Sequence, residues 1–339
     1  MGQRQNMTFL MSPCEEKANS IGAQVADSAK LRRFLVGFMW FRNLQVYRFP
    51  APWKIDTSRL EEQLGRHVFR AASGFEIQTQ GWASPRDDGG LVHSINGQML
   101  ISLCTEKKLL PASVIKEEIK VRAIEAEERQ GYKPGRKQLR ELKQEVTDEL
   151  LPRAFSVRRR TGIWIDPANG WLVIDNSSPG KADEVVGLLN KSIDDFVIER
   201  LNTAVSPGVA MTRWLAANEV PHGFSIDDDT ELQSPVEEKA TVRFVRHALD
   251  PKEVQRHITA GKQCTRLALT WADRVSFVLT ETLVVKRVAP LDLIKQSDES
   301  QSPNEEDLFD ADMTLMTGEL QKLLADLVEA LGGFQEQAG

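Results

Sequence analysis

The stretch Gly162-Ile-Trp-Ile-Asp-Pro-Ala-Asn-Gly-Trp-Leu-Val-Ile-Asp175 indicates the fold class of this chain most directly. Two apolar runs flank residues 167–170, whose residue types favour a tight turn, so the stretch predicts a β-hairpin. Ser178 and Pro179 follow, and a serine before a proline is typical of a helix start. A hairpin followed by a helix predicts an α+β fold with antiparallel sheets.

Further elements are predicted on both sides of this hairpin. Apolar and aromatic residues predict a strand over residues 43–49, and Thr57 or Ser58 is expected to cap a short helix. Asn96 and Gly97 predict a turn that leads into an apolar strand. In the second half, strands are predicted at residues 242–248, 266–271, 274–279 and 283–288, with helices at residues 250–259 and 315–331. The last helix has the strongest amphipathic pattern of the chain.

Residues 106–160 form a different, highly charged region. Ser113 is predicted to cap a helix that runs to about Arg129, residues 131–135 interrupt it with Gly and Pro, and a second helix ends at Leu150. The apolar stripe on each helix is narrow, so most of each surface is expected to face solvent. The region therefore predicts an antiparallel helical arm that projects from the body.

These patterns divide the chain into six expected parts. Residues 1–38 are an extension that is either disordered or the product of a start codon placed too early. The others are an N-terminal α+β part (39–105), the charged helical arm (106–160), a central α+β part (161–291), an acidic linker (292–312) and a C-terminal helix packed on the body (313–333).

The composition is that of a soluble globular protein in a reducing compartment. Apolar residues make up 41% of the chain and charged residues 27%, which are ordinary values. The apolar run at residues 34–41 is too short to cross a membrane. Cys14, Cys104 and Cys264 are odd in number and far apart, so they predict neither a disulfide framework nor a zinc site. A cytoplasmic location is expected.

The net charge of −6 does not exclude nucleic acid, because the charges are segregated along the chain. Residues 106–160 contain 15 Lys and Arg against 10 Asp and Glu. Residues 292–312 contain eight acids against a single lysine, Lys295. A phosphate backbone responds to the local field and not to the total charge, so the arm remains a candidate DNA contact.

Two groups of basic residues are candidate DNA-binding residues. The arm contributes Lys133, Arg136, Lys137, Arg140, Arg153, Arg158, Arg159 and Arg160. The second group consists of Arg243, Arg246, His247, Lys262 and Arg266. For the arm helices, a solvated surface with internal ion pairs is the alternative explanation. Three consecutive arginines repel one another and favour a polyanionic partner. Because no base-reading motif accompanies either group, binding that depends little on sequence is expected.

The sequence contains no established catalytic motif. A phosphate loop and a Gly-x-Ser-x-Gly motif are both missing, and ligand spacing is lacking among the histidines, His67, His93, His222, His247 and His257. Two carboxylate pairs, Asp166 with Asp175 and Asp310 with Asp312, could hold magnesium in a nuclease. Their positions at a turn and before a helix explain them without a metal. We expect no cofactor, no metal site and no enzyme activity.

Three longer segments carry a resemblance to a known family. They are Met39-Trp-Phe-Arg-Asn-Leu-Gln-Val-Tyr-Arg48, Leu150-Leu-Pro-Arg-Ala-Phe155 and Phe309-Asp-Ala-Asp-Met-Thr-Leu-Met-Thr-Gly-Glu319. In this order they resemble the RdgC family, the recombination-associated DNA-binding proteins of bacteria, over about residues 39–333.

The resemblance implies a horseshoe-shaped subunit that closes with a second copy into a ring around duplex DNA. It also implies a nucleoid-associated protein that limits access of the RecA recombinase, and single-stranded DNA as a further ligand. Phe155 is expected at the dimer interface on family grounds. Its position beyond the apolar stripe of the arm fits either a core anchor or an exposed contact with a partner subunit. The alternatives are a magnesium-dependent nuclease in DNA repair and a scaffold that binds other proteins.

Overall fold

The computed structural model describes residues 40–86, 89–236, 240–246, 250–291 and 305–335. The predicted extension at residues 1–38 lies outside these ranges. The strands are β1 (Asn43–Arg48), β2 (Gln78–Ala83), β3 (Val92–Ile95), β4 (Gln98–Lys108), β5 (Ser156–Asp166), β6 (Trp171–Asp175), β7 (Glu199–Arg200), β8 (Phe224–Gln233), β9 (Thr241–Phe244), β10 (Gln263–Trp271), β11 (Val275–Thr280) and β12 (Val285–Pro290). The helices are α1 (Thr57–Gly65), α2 (Ala112–Gln130), α3 (Arg136–Leu150), α4 (Pro179–Ser192), α5 (Pro207–Ala217), α6 (Pro251–Thr259) and α7 (Glu305–Ala330).

All twelve strands join one antiparallel sheet, which confirms the predicted α+β class. The order across the sheet is β2-β4-β5-β6-β1-β12-β11-β10-β8-β9, with β3 paired to β4 and β7 paired to β1. The predicted hairpin is β5–β6, in which Ile163 lies opposite Ile174. The Asn96-Gly97 turn is also confirmed, since both residues have positive φ angles of 51° and 77° between β3 and β4.

The two faces of the sheet are covered to different extents. On the first face, apolar side chains from β4 through β10 pack against α5, α6 and α7 in one continuous core, as Leu100, Trp164 and Leu267 illustrate. On the second face, a smaller core lies over β4, β5, β6 and β1, beneath α1 and α4. The second core takes its strand residues from β1 to β6, so over β8–β12 this face presents its charged side chains to solvent.

Helix α7 lies on the first face and contacts both β3 and the turn between β10 and β11. Leu320, Leu323 and Leu324 are fully buried, and burial of each such side chain contributes about 1.5–3 kcal/mol. Near one end, Asp310 lies 2.8 Å from His93 of β3. Farther along, Glu319 accepts two hydrogen bonds from Arg274 at 2.7 and 2.8 Å.

The junction between β1 and β12 is narrow. Their register comprises two residue pairs, Asn43 with Lys286 and Leu44 with Val285, supplemented by a hydrogen bond from Val288 N to Arg42 O. The β4–β5 register comprises ten pairs. The half of the sheet formed by β1–β7 and the half formed by β8–β12 are thus joined by few strand hydrogen bonds.

Several predicted helix boundaries were wrong. Asp56, not Thr57 or Ser58, caps α1, because its Oδ1 accepts a hydrogen bond from Arg59 N at 2.7 Å. Helix α2 begins at Ala112 after the extended Pro111, so Ser113 lies inside the first turn and is not the N-cap. Helix α7 begins at Glu305, eight residues before the predicted boundary at 313. Acidic residues suit the N-terminal end of a helix, which explains how it extends into the acidic segment.

The strand predictions in the second half were correct in kind but not complete. Strand β9 ends at Phe244, before Arg246 with its positive φ of 50°, and the predicted strand end at residue 248 lies outside the described residues. The sequence reasoning missed β2, β7, β8 and α5. The β8 pattern is broken by three consecutive acids at residues 227–229, which lie at a register shift against β10.

Candidate nucleic-acid interface

The two helices predicted within residues 106–160 are present as the hairpin of α2 and α3, whereas residues 106–108 belong to β4 and residues 156–160 to β5. Val146 is the one fully buried residue of α3, and no residue of α2 is fully buried. The helices are joined by polar contacts, including Arg122 to Glu149 at 2.6 Å and Gln138 to Gln130 at 3.1 Å. The arm is therefore largely solvated, and its stability does not depend on a large apolar core.

Four basic residues of the arm lie around the N-terminus of α3, where positive charge does not stabilise the helix. Lys133, Arg136, Lys137 and Arg140 are exposed and surround the start of α3. A helix N-terminus favours anions, so cations there are unfavourable for the helix itself. Lys137 has only a loose ion pair with Glu141, at 4.0 Å. This placement favours an external anion as the partner of the cluster.

The three consecutive arginines of β5 do not share one face of the sheet. Because side chains alternate along a strand, Arg158 and Arg160 lie on the first face, with Trp164, and Arg159 lies on the second face, with Ile163. The side chains of all three are exposed. A ligand on one face can therefore contact either Arg158 and Arg160 or Arg159. The sequence alone had not indicated that the three arginines are distributed over both faces.

Arg158 is held in place by a buried carboxylate. Its Nε donates to Glu106 Oε2 at 3.0 Å, across the β4–β5 ladder. Hydrogen bonds from Ser156 and from Arg158 lower the pKa of Glu106 although burial opposes this, so Glu106 is ionised at neutral pH. Arg153, at the end of the arm, is exposed as well.

Phe155 is an exposed side chain and not a core anchor. It is 86% exposed and lies just before β5. The exposed apolar residue Leu109 lies beside it, because Leu109 N donates to Phe155 O. Ile77 is also exposed, but it lies two strands away, opposite Lys108 and therefore on the other face. Phe155 and Leu109 thus form an exposed apolar edge at the ends of β4 and β5.

The second basic group lies partly on the open second face of β8–β12. Arg243 and Arg266 are on this face on either side of Glu231, with Arg266 Nη1 3.9 Å from Glu231 Oε2. Arg246 is exposed, and Lys262 follows α6. His247 lies outside the described residues. The sequence reasoning missed Arg287, which lines the same groove.

The carboxylates considered for a nuclease have structural roles. Asp166 is fully buried and accepts hydrogen bonds from Ala168 N, Asn169 N and Asn169 Nδ2 at 2.7–3.2 Å. Burial raises the pKa of Asp175, and N–H groups of Asn43 and Arg42 oppose the rise. Asp310 and Asp312 lie inside α7 and do not precede it, which corrects their predicted position.

The described residues offer no metal site. No group of three or more His, Cys, Asp and Glu side chains among them could hold an ion.

His67 contacts Ser192 Oγ at 3.2 Å, and this buried hydroxyl donates to Leu188 O at 2.8 Å. The serine proton is thus committed to a main-chain carbonyl and not to a histidine. None of the described helices is long and apolar enough to span a membrane.

Known proteins resemble this chain over most of its length. Residues 39–334 match the family described as "Putative exonuclease, RdgC". The curated relatives are named "Recombination-associated protein RdgC". The one from Janthinobacterium sp. (strain Marseille) is 59% identical over 299 residues, covering 88% of this chain and 100% of the relative. The one from Herminiimonas arsenicoxydans is 58% identical over 297 residues, covering 88% and 99%. The one from Cupriavidus necator is 58% identical over 295 residues, covering 87% and 99%. The family description mentions an exonuclease, whereas the names of the relatives refer to recombination. The chain belongs to the RdgC family, whose curated members are recombination-associated proteins.

Proposed function

We propose that this chain is a sequence-independent DNA-binding protein of recombination that contacts phosphates without a catalytic step. The observation that carries the proposal is the number of exposed arginines and lysines at the arm and on the open face of β8–β12. Cations of this kind bind phosphates without reading bases. The recombination-associated names of the relatives support DNA as the partner.

Two copies are proposed to close into a ring around duplex DNA, with the horseshoe shape that the family resemblance implies. The exposed apolar edge of Phe155 and Leu109 supports a contact between subunits, because large exposed apolar groups mark interaction sites. A ring of this kind would have twofold symmetry with two self-complementary contacts. By occupying DNA in the nucleoid, the protein would limit access of the RecA recombinase.

The first experiment separates binding from cleavage. Labelled duplexes of unrelated sequence are incubated with the full chain, with and without magnesium, and analysed on native and denaturing gels. We expect retarded DNA of unchanged length in both conditions and similar affinity for each sequence. Magnesium-dependent shortening of the DNA would establish a nuclease instead, and absence of retardation would leave a protein scaffold as the better explanation.

The second experiment tests the ring and the effect on recombinase loading. A closed circular duplex should retain the protein through a salt wash, whereas the same DNA cut once should release it at its ends. RecA added after the protein should load on the DNA more slowly than RecA added alone. Equal retention on cut and circular DNA would contradict encirclement, and unchanged RecA loading would contradict the proposed antagonism.

A further inference from the structure

Three arginines and two carboxylates form a compact charged groove on the open second face. Arg243, Arg266 and Arg287 surround a space of about 100 Å³, which Asp229 and Glu231 also line. The carboxylates come from β8, and the arginines come from the three strands β9, β10 and β12. The groove therefore collects charges that are far apart in the chain onto one surface.

The carboxylates lie beneath the arginines. Glu231 Oε2 accepts from Arg243 Nε, and its Oε1 accepts from Thr265 Oγ1 at 3.0 Å. The Glu231 side chain is 13% exposed, whereas that of Arg243 is 62% exposed. Asp229 and Arg287 are arranged in the same way. Arg287 Nη1 donates to Asp229 Oδ2 at 3.0 Å, and the Arg287 side chain is 65% exposed whereas that of Asp229 is 30% exposed.

In these two pairs the arginine uses fewer of its N–H groups to bind the carboxylate than Arg274 does in its ion pair with Glu319. Arg274 binds Glu319 through two N–H groups, whereas the hydrogen bonds of Arg243 and Arg287 to their carboxylates each use one. A guanidinium carries five N–H donors, so most donors of Arg243 and Arg287 remain available toward solvent. With three cations to two anions, the groove has a net charge of +1.

Both carboxylates are anchored so that they stay in the groove. Burial opposes ionisation of Glu231, but hydrogen bonds from Arg243 and Thr265 outweigh it and lower the pKa of the carboxyl. Asp229 Oδ1 also accepts from the main-chain N of Arg246 at 2.9 Å. The two carboxylates are therefore held in fixed positions directly below a surface that faces solvent.

We propose that Glu231 and Asp229 are resident anions that compete with DNA phosphates for Arg243, Arg266 and Arg287, and so limit the strength of DNA binding at this groove. The inference rests on the proposed DNA-binding function. A phosphate that approaches an arginine here meets a carboxylate a few ångströms below it, and the repulsion offsets part of the attraction. The groove is thus a contact that DNA can leave readily.

The test is to neutralise each carboxylate without changing its shape. Glu231→Gln and Asp229→Asn are compared with the unaltered full chain by fluorescence anisotropy on one labelled duplex at several salt concentrations. We expect each variant to bind about threefold to tenfold more tightly at low salt, from the removed repulsion. The log–log salt dependence should steepen by up to about 0.9 for each additional phosphate that the variant binds.

A matched control changes the net charge by the same amount elsewhere. Asp194→Asn breaks an exposed ion pair with Arg66, at the end of α4 and away from the groove, and should alter the affinity less than twofold. Adding Arg243→Gln to Glu231→Gln should remove most of the increase in affinity, because the released arginine is then missing.

The outcomes separate this inference from the function on which it rests. If the unaltered protein does not bind duplex DNA, both fall. If it binds but neither neutralised variant binds more tightly, or Asp194→Asn tightens binding equally, the inference alone is overturned. A melting curve accompanies each variant. Should Glu231→Gln not fold, because Thr265 and Arg243 lose their acceptor, Asp229→Asn decides the question.

Discussion

The arginines of β5 allow a prediction that sequence alone could not make, because the strand divides them between two faces. Arg158 and Arg160 share the first face, and Arg159 lies on the second. A single duplex track along the first face can therefore receive two of the three guanidinium groups. Each phosphate contact contributes about 0.9 to the log–log salt slope, so the pair contributes at most about 1.8.

The perturbation is the double change Arg158→Gln and Arg160→Gln, with Arg159→Gln as the control from the opposite face. Between 50 and 200 mM salt, a slope difference of about 1.8 corresponds to about a twelvefold difference in the loss of affinity. Raising the salt from 50 to 200 mM should therefore weaken DNA binding of the double variant by a factor about twelve times smaller than that of the unaltered protein. Its affinity should fall equally on unrelated sequences, because phosphates carry no base identity.

The assay is duplex binding by anisotropy at five or more salt concentrations, with a melting curve for each variant. Glu106 loses its partner in Arg158→Gln but keeps the hydrogen bond from Ser156, so the fold should persist. An unchanged slope in the double variant would mean that the first face does not contact DNA. A flattening by Arg159→Gln as large as that of the pair would refute the assignment by faces.

Three further predictions concern the interface, the packing and the thiols. Phe155→Ser should weaken dimerisation in sedimentation experiments at an unchanged melting temperature, whereas Tyr132→Ser, which removes an exposed aromatic at the other end of the arm, should leave the dimer intact. Gly81→Ala should clearly destabilise the fold, since a Cβ there would lie 2.5 Å from the backbone of a neighbouring segment. Gly187→Ala in α4, where nothing lies within 4 Å of the added Cβ, should instead stabilise the fold by about 0.5–1 kcal/mol. Equal denaturation midpoints for the two variants would contradict both expectations. Burial raises the pKa of the Cys264 thiol to about 12, so peptide mapping should find it unlabelled by iodoacetamide at pH 8 until denaturant is added, and labelling of the native protein would show that the site opens.

Local sequence signals were sufficient for the elements that depend on neighbouring residues. The β5–β6 hairpin and the start of α4 after Ser178 were predicted from turn and helix-start residues, and both are confirmed in position, although the Ser178 side chain makes no capping hydrogen bond. Strand β8 was missed because residues 227–229 break its alternation, and only pairing with β10 makes it a strand. Long-range pairing is not encoded in a short window of sequence, which limits what such patterns can predict.

The candidate site was predictable in its residue types but not in its geometry. The charge of the arm and the arginine groups were evident from the sequence. Which face each arginine occupies depends on strand register, and the contact between Arg158 and Glu106 joins residues 52 positions apart. Arg287 and its acidic partner Asp229 are 58 positions apart, so no local pattern could have placed them in one groove.

The narrow junction between β1 and β12 has a mechanical consequence. Two residue pairs resist bending and twisting much less than the ten pairs of β4 and β5 do. Helix α7 crosses this junction, and its side chains contact His93 on one side and Arg274 on the other. A pull that separates the ends of the molecule would load these side-chain contacts before it broke the strands on either side. We therefore expect the sheet to bend more readily along this line than within either half.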